Sequence, residues 1–139
     1  MLNKKSVWAI IPARSGSQSV KNKNIIKVNN LPLIAYTIRV AKKIKGIQKV
    51  VVTSDSSKYL NIAKKYGADI LHLRSKKNSS NIASDFDFFK ELIIFFNKKK
   101  IDLPGTFVHL RPNCPLRKSS ELKKALNLFF KRFNKCSAM

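Results

Sequence analysis

The chain has 139 residues, 44% of them hydrophobic, which suits one domain with a buried core and excludes a disordered polymer. No apolar run is long enough to span a bilayer, and the Val7 to Ile11 run stops at Pro12 and Arg14 without a signal-peptide cleavage site, so a cytoplasmic location is expected. Lys and Arg number 29 against 7 Asp and Glu, a net charge of +22, but the excess is spread along the chain without a zinc-finger spacing or an aromatic-interleaved basic ribbon. Neither specific nucleic-acid binding nor membrane association is therefore expected.

Short β-rich runs alternate with longer helical stretches, the pattern of βαβ units on a parallel sheet. Val7 to Ile11 reads as the first buried strand, followed by a polar loop from Ala13 to Asn24. Pro32 suits the first turn of a helix, because no N–H is needed there, and Leu33, Ile34, Ile38 and Val40 carry its apolar stripe to Lys42-Lys43. Val50 to Val52 forms the second strand, ending at Thr53-Ser54-Asp55. The next helix runs from about Ser57 to Tyr66, with Gly67 as its stop.

Ile70 to Leu73 is the third strand. After a polar stretch from Arg74 to Ala83, Ser84 with Asp87 three residues on predicts a helix start. That helix is apolar nearly all round, from Phe86 to Phe96, which predicts burial on more than one side, a missing domain or partner being one candidate cover. Phe107 to Leu110 is a fourth strand, and Ser119 opens a last helix through Leu122, Leu126 and Phe130. Cys114 and Cys136 sit in no metal or redox spacing and read as reduced thiols.

In open α/β sheets ligands bind beyond the carboxyl ends of the strands, which places the Ala13 to Asn24 loop where a ligand would sit. Gly16 permits close backbone approach, serine hydroxyls and backbone N–H groups can bond anionic oxygens, and Arg14, Lys21 and Lys23 supply positive charge. The spacing is neither a Walker P-loop nor a three-glycine dinucleotide fingerprint. An anion-binding loop and a flexible basic loop both remain open on the residues alone. Asp55 reads as a helix cap more than as a ligand residue, and Asp87 as a first-turn helix acid. His72 and His109, without clustered partners, read as ordinary core or surface histidines.

The stretch Ile11-Pro12-Ala13-Arg14-Ser15-Gly16-Ser17, followed by Lys23-Asn24-Ile25, resembles the nucleotide-binding signature of the acylneuraminate cytidylyltransferases (CMP-sialic acid synthetases). Further matches follow in register: Pro32 to Ile38, Thr53-Ser54-Asp55, Ala63 to Ala68, Ala83-Ser84 with Asp87, and Leu110-Arg111-Pro112 through Arg117. The resemblance implies a three-layer α/β/α fold with a mostly parallel sheet, of the nucleotide-diphospho-sugar transferase type. Residues 1–139 then read as a single, C-terminally truncated nucleotide-binding domain. It further implies transfer of CMP from CTP to an acidic nine-carbon sugar with release of pyrophosphate, a step in nucleotide-sugar biosynthesis. Legionaminic, pseudaminic and deoxy-octulosonic acids are the neighbouring acceptors.

Carried over by position, Arg14 and Lys23 are the catalytic cations. Arg14, Ser15, Gly16, Ser17, Lys23 and Asn24 hold the nucleotide, with Arg74 and Ser84 near the cytidine. Arg74 also reads as a solvated loop arginine and Ser84 as a plain helix cap. Arg111 and Arg117 are the sugar-facing candidates. Mg²⁺ is implied by the resemblance, but its ligands are not identifiable in this chain. A homodimer is open, although the family's dimerisation segment has no counterpart here.

The match departs from the family at three places. Gln18-Ser19 stands where the family carries lysine and glycine. Arg111, Asn113 and Cys114 replace residues of the sugar-facing loop, and past Asp102 the sequence holds no carboxylate side chain except Glu121. A missing cation at the departing phosphate costs about 2–4 kcal/mol of barrier. The alternative expectation is therefore a shortened, catalytically weak or inactive form that still holds nucleotide. A basic nucleic-acid-binding protein rests on net charge alone.

Overall fold

The computed structural model describes residues 3–80 and 82–136. Strands β1 (Asn3–Pro12), β4 (Lys49–Ser54), β5 (Ile70–Leu73) and β6 (Pro104–His109) form one parallel sheet in the order β5-β4-β1-β6. Helices α1 (Leu33–Lys42), α2 (Ser57–Lys65), α3 (Asp85–Lys98) and α4 (Ser119–Cys136) fill the connections or follow the last strand. The expected α/β/α layering is therefore the observed one.

The period of two along each strand divides the core. Val7, Ala9 and Ile11 of β1 and Val50 and Val52 of β4 join Ile34, Ile38, Leu60 and Ala63 of α1 and α2. Leu122, Leu126 and Phe130 of α4 pack against the same cluster. Trp8, Ile10 and Val51 face the opposite way and meet Phe88, Leu92 and Phe96 of α3. A one-residue slip of β1 would exchange its two apolar faces, so the pairing of Ile10 with Val51 and of Ile11 with Val52 is strongly specified.

Three local features differ from the sequence expectation. Pro32 precedes α1 as its N-cap residue instead of occupying the first turn. It also ends a small antiparallel hairpin of β2 (Lys27–Val28) and β3 (Leu31–Pro32) that the sequence reading missed. The turn is Asn29-Asn30, both with positive φ (48° and 61°), the conformation that two-residue hairpin turns need and asparagine tolerates. Tyr36 ties this hairpin to α1 by donating its hydroxyl to the Val28 carbonyl at 2.6 Å.

The cap of α2 is Ser56, whose side chain accepts from the Tyr59 N–H, so the expected capping role of Asp55 is overturned. The third difference lies in α3, which buries only the stripe of Phe88, Leu92 and Phe96. Phe86, Ile93 and Ile94 are exposed, so within this chain α3 is buried on one side only.

Candidate functional site

An open cleft of about 320 Å³ lies past the carboxyl ends of β1 and β6. Its walls come from three segments far apart in sequence. Arg14, Ser17, Lys23 and Asn24 come from the loop after β1; Arg74, Ser80 and Ser84 from the β5–α3 connection and the cap of α3; and Arg111 to Asn113 from the loop after β6. Most of the residues nominated from the sequence thus converge. Ser15, Gly16 and Arg117 do not line the cleft.

The loop after β1 is held from inside. The Ala13 N–H donates to the Thr53 carbonyl at 2.9 Å, continuing the β1–β4 ladder into the loop. Asn24 is buried and donates its side-chain amide to the Arg14 carbonyl at 3.0 Å, joining the two ends of the loop. Asn22 adopts a left-handed conformation (φ 54°), and its side-chain oxygen accepts from the Tyr59 hydroxyl at 2.9 Å. A Cβ on Gly16 would meet nothing within 4 Å, so no protein contact requires glycine there and the backbone is open to an incoming group. Ser15 plays a structural part, because its N–H and its hydroxyl both donate to the Asp55 carboxylate, at 2.8 and 2.7 Å.

The opposite wall is pinned by Glu91 of α3. Its carboxylate accepts from the Ser75 N–H at 2.7 Å, from the Ser75 hydroxyl at 3.0 Å, and from the Asn78 side-chain amide. Burial alone would raise the Glu91 pKa, but these hydrogen bonds hold it below the usual value. The same connection carries Arg74, whose N–H donates to the Ser54 carbonyl at 2.9 Å. The sequence left a solvated arginine open; the structure buries Arg74 to 7% exposure. The guanidinium lies over the Phe88 ring at 5.4 Å, and the buried Nε has no protein partner. Burial lowers its pKa, Asp55 opposes that shift and Arg14 adds to it.

Ser84 caps α3 in a reciprocal capping box with Asp87 and also lines the cleft, so the cap and a ligand contact are compatible roles. The hydrogen bonds from Ser84 lower the Asp87 pKa. Arg111 reaches the Asp85 carboxylate at the cleft rim, and Arg117 braces this corner by donating to the Arg111 carbonyl at 3.4 Å. Sequence reasoning missed Asn78, Ser80 and Phe88 as wall residues. Asn78 and Ser80 reach it on the β5–α3 connection, and Phe88 from the first turns of α3.

His72 lies buried behind this wall, with Nδ1 2.8 Å from the Thr53 hydroxyl and Nε2 3.9 Å from Glu91. Burial lowers its pKa, Glu91 opposes the shift and Arg74 adds to it; His109 is lowered too, again chiefly by burial. The unfolded chain therefore takes up protons first as pH falls below about 6.5. The stability linked to these groups is full above that pH and is lost as pH drops toward the folded-state values. Denaturant unfolding between pH 7 and 5 should show this decline, and His72→Gln should flatten it. An unchanged slope in that variant would remove His72 as the cause.

Among the described residues no three His, Cys, Asp or Glu side chains gather as a metal site. Asp55 lies outside the cleft lining with both oxygens accepting from Ser15, and Asp85 is paired with Arg111. Among the described residues, the carboxylates beside the cleft therefore form no divalent-cation centre of their own. No helix among the described residues is long and apolar enough to cross a membrane.

A parallel α/β sheet with a cationic cleft beyond its carboxyl edge is the general arrangement in which open α/β proteins hold ligands. Residues 8–136 match the cytidylyltransferase family, and the chain belongs to it. It is 39% identical over 123 residues to the N-acylneuraminate cytidylyltransferase of Escherichia coli, covering 88% of this chain and 28% of that protein. It is 32% identical to the pseudaminic acid cytidylyltransferase of Campylobacter jejuni, covering 91% and 54% of the two chains. The fold superposes with a TM-score of 0.68 and 19% identity on a CMP:2-keto-3-deoxy-manno-octonic acid synthetase complexed with CTP, covering 91% of this chain and 48% of that one. The chain thus spans about a quarter to a half of the length of these relatives.

Proposed function

We propose that this chain supplies the nucleotide half of a reaction that transfers CMP from CTP to an acidic sugar of the nonulosonic type. The observation that carries the reading is the convergence of Arg14, Lys23, Asn24, Arg74 and Ser84 on one cleft in a chain of the cytidylyltransferase family. The relatives with N-acylneuraminate and pseudaminic acid in their names support the acceptor class. In the reaction an acceptor hydroxyl oxygen bonds to the α-phosphorus of CTP. The bond from that phosphorus to the bridging oxygen breaks, pyrophosphate leaves with the bonding pair, and the hydroxyl proton passes to solvent. Arg14 and Lys23 stabilise the triphosphate charge, Arg74 and Ser84 hold the nucleoside end, and Arg111 stands on the acceptor side. Mg²⁺ belongs to the substrate in this reading, carried on phosphate oxygens and water, because it dehydrates reluctantly and needs few protein ligands.

Thermal unfolding with CTP, UTP, ATP and GTP tests the binding step. CTP at about a hundred times its Kd should stabilise the fold by about 2.7 kcal/mol and raise the melting temperature. No shift with any triphosphate overturns the nucleotide reading. Transfer is read separately, as pyrophosphate and CMP-sugar formed with Mg²⁺ and a panel of nonulosonic acids. CTP binding without any pyrophosphate would overturn transfer by these residues and leave a nucleotide-binding domain.

A further inference from the structure

Asp55 follows β4 at the carboxyl edge of the sheet, half-buried and outside the wall of the cleft. An aspartate there would ordinarily cap the following helix, but Ser56 does that. Both carboxylate oxygens are directed instead to one residue 40 positions earlier, the Ser15 N–H at 2.8 Å and the Ser15 hydroxyl at 2.7 Å. We infer that Asp55 is a positioning residue for nucleotide binding, a two-point clamp on Ser15 that fixes the direction of the Arg14–Ser17 backbone.

The clamp works through the chain itself. Ser15 is flanked by Arg14, whose carbonyl is already held by Asn24, and by Gly16, which has no side-chain contacts to restrain it. The Ser17 N–H turns back on the Ser15 carbonyl at 3.0 Å, so the position of Ser15 sets that of Ser17 as well. Arg14 and Ser17 both line the cleft, so holding Ser15 holds two of its groups in place before a ligand arrives. Preorganisation of this kind increases affinity by reducing the ordering that binding must impose. The charge of Asp55 has a second effect, since it favours the cationic form of Arg74 while Arg14 disfavours it. It therefore relieves repulsion between two arginines on facing walls.

The role rests on the nucleotide reading above, and the test separates the two. Asparagine can keep both contacts, its oxygen accepting the Ser15 N–H and its amide donating to the hydroxyl, whereas alanine keeps neither. Asp55→Ala should weaken CTP binding about ten-fold or more by titration calorimetry, and Asp55→Asn should recover most of that loss. Leu60→Ala, a core change on α2 with a comparable or larger loss of melting temperature, should leave the CTP affinity of the folded protein unchanged. Amide hydrogen exchange at Ser15 gives a ligand-free readout: protected in the wild type and in Asp55→Asn, exposed in Asp55→Ala.

Retained protection in Asp55→Ala would overturn the clamp. Lost protection with unchanged CTP affinity would overturn its positioning role, as would an Asn variant as weak as Ala. Absence of CTP binding by the wild-type chain would overturn the nucleotide reading and this role with it, and the Ser15 exchange would still report whether the clamp exists.

Discussion

Replacing Arg74 with methionine should raise the melting temperature of the ligand-free chain and abolish the shift that CTP produces. The two effects have opposite signs because the guanidinium is poorly accommodated by the protein alone. It is 7% exposed, and its Nε has no protein partner. An unsatisfied buried donor costs about 1–3 kcal/mol, and desolvating the charge costs more. The contact with the Phe88 ring returns about 0.5–2 kcal/mol. Attraction to Asp55, Glu91 and Asp85 also opposes the loss of charge, but it acts against the nearby Arg14. Methionine fills a similar volume and leaves no donor unpaired, so the folded state should gain on balance. Arg74 also lines the cleft, where its positive charge would attract an anionic ligand. Its loss should weaken CTP by about a hundredfold, in the range of a charge-assisted hydrogen bond in a partly dry site. A fall in melting temperature with an intact CTP shift would make Arg74 a structural residue and move the nucleoside end of the site elsewhere.

The elements around this site were unevenly legible in the sequence. Strands β1, β4 and β5 announce themselves as short apolar runs, and the α3 start is written locally in Ser84 and Asp87, which the capping box confirms. The loop after β1 was legible as a cleft-lining segment because it follows a strand of an open α/β sheet, and Arg14, Ser17, Lys23 and Asn24 do line the cleft. The role of Asp55 was not legible. Its partner Ser15 is 40 residues away, while the local context offers a helix start that suits aspartate equally well. The burial of Arg74 was hidden for the same reason, since the ring beneath it, Phe88, comes from the following helix. The hairpin of β2 and β3 could have been found. Asn29-Asn30 between Val28 and Leu31 is a two-residue turn signal, which places Pro32 at the end of a hairpin strand.

On α3, apolar residues on different faces should differ about sixfold or more in their effect on stability. Phe96 is fully buried, edge-on to Trp8 with ring centroids 5.6 Å apart and nearly parallel to Phe107 at 6.4 Å. Phe96→Ala should cost about 3–5 kcal/mol, because the close-packed rings on either side cannot collapse into the space. For a domain of this size that is a drop of about 10–20 °C in melting temperature. Phe86 lies in the first turn of the same helix at 74% exposure, and Phe86→Ala should change stability by less than about 0.5 kcal/mol. Both positions carry the same residue in one apolar run, so this contrast tests the orientation of the helix and not its composition. That orientation also matters to the cleft. One end of α3 brings Ser84, Asp85 and Phe88 to the wall, and Glu91 holds the Ser75–Asn78 segment from the same helix. Differential scanning calorimetry of the two variants against the wild type reads the difference directly. A loss at Phe86 as large as that at Phe96 would mean that the outer face of α3 is covered in solution, and that the two-sided burial expected from the sequence was the better description.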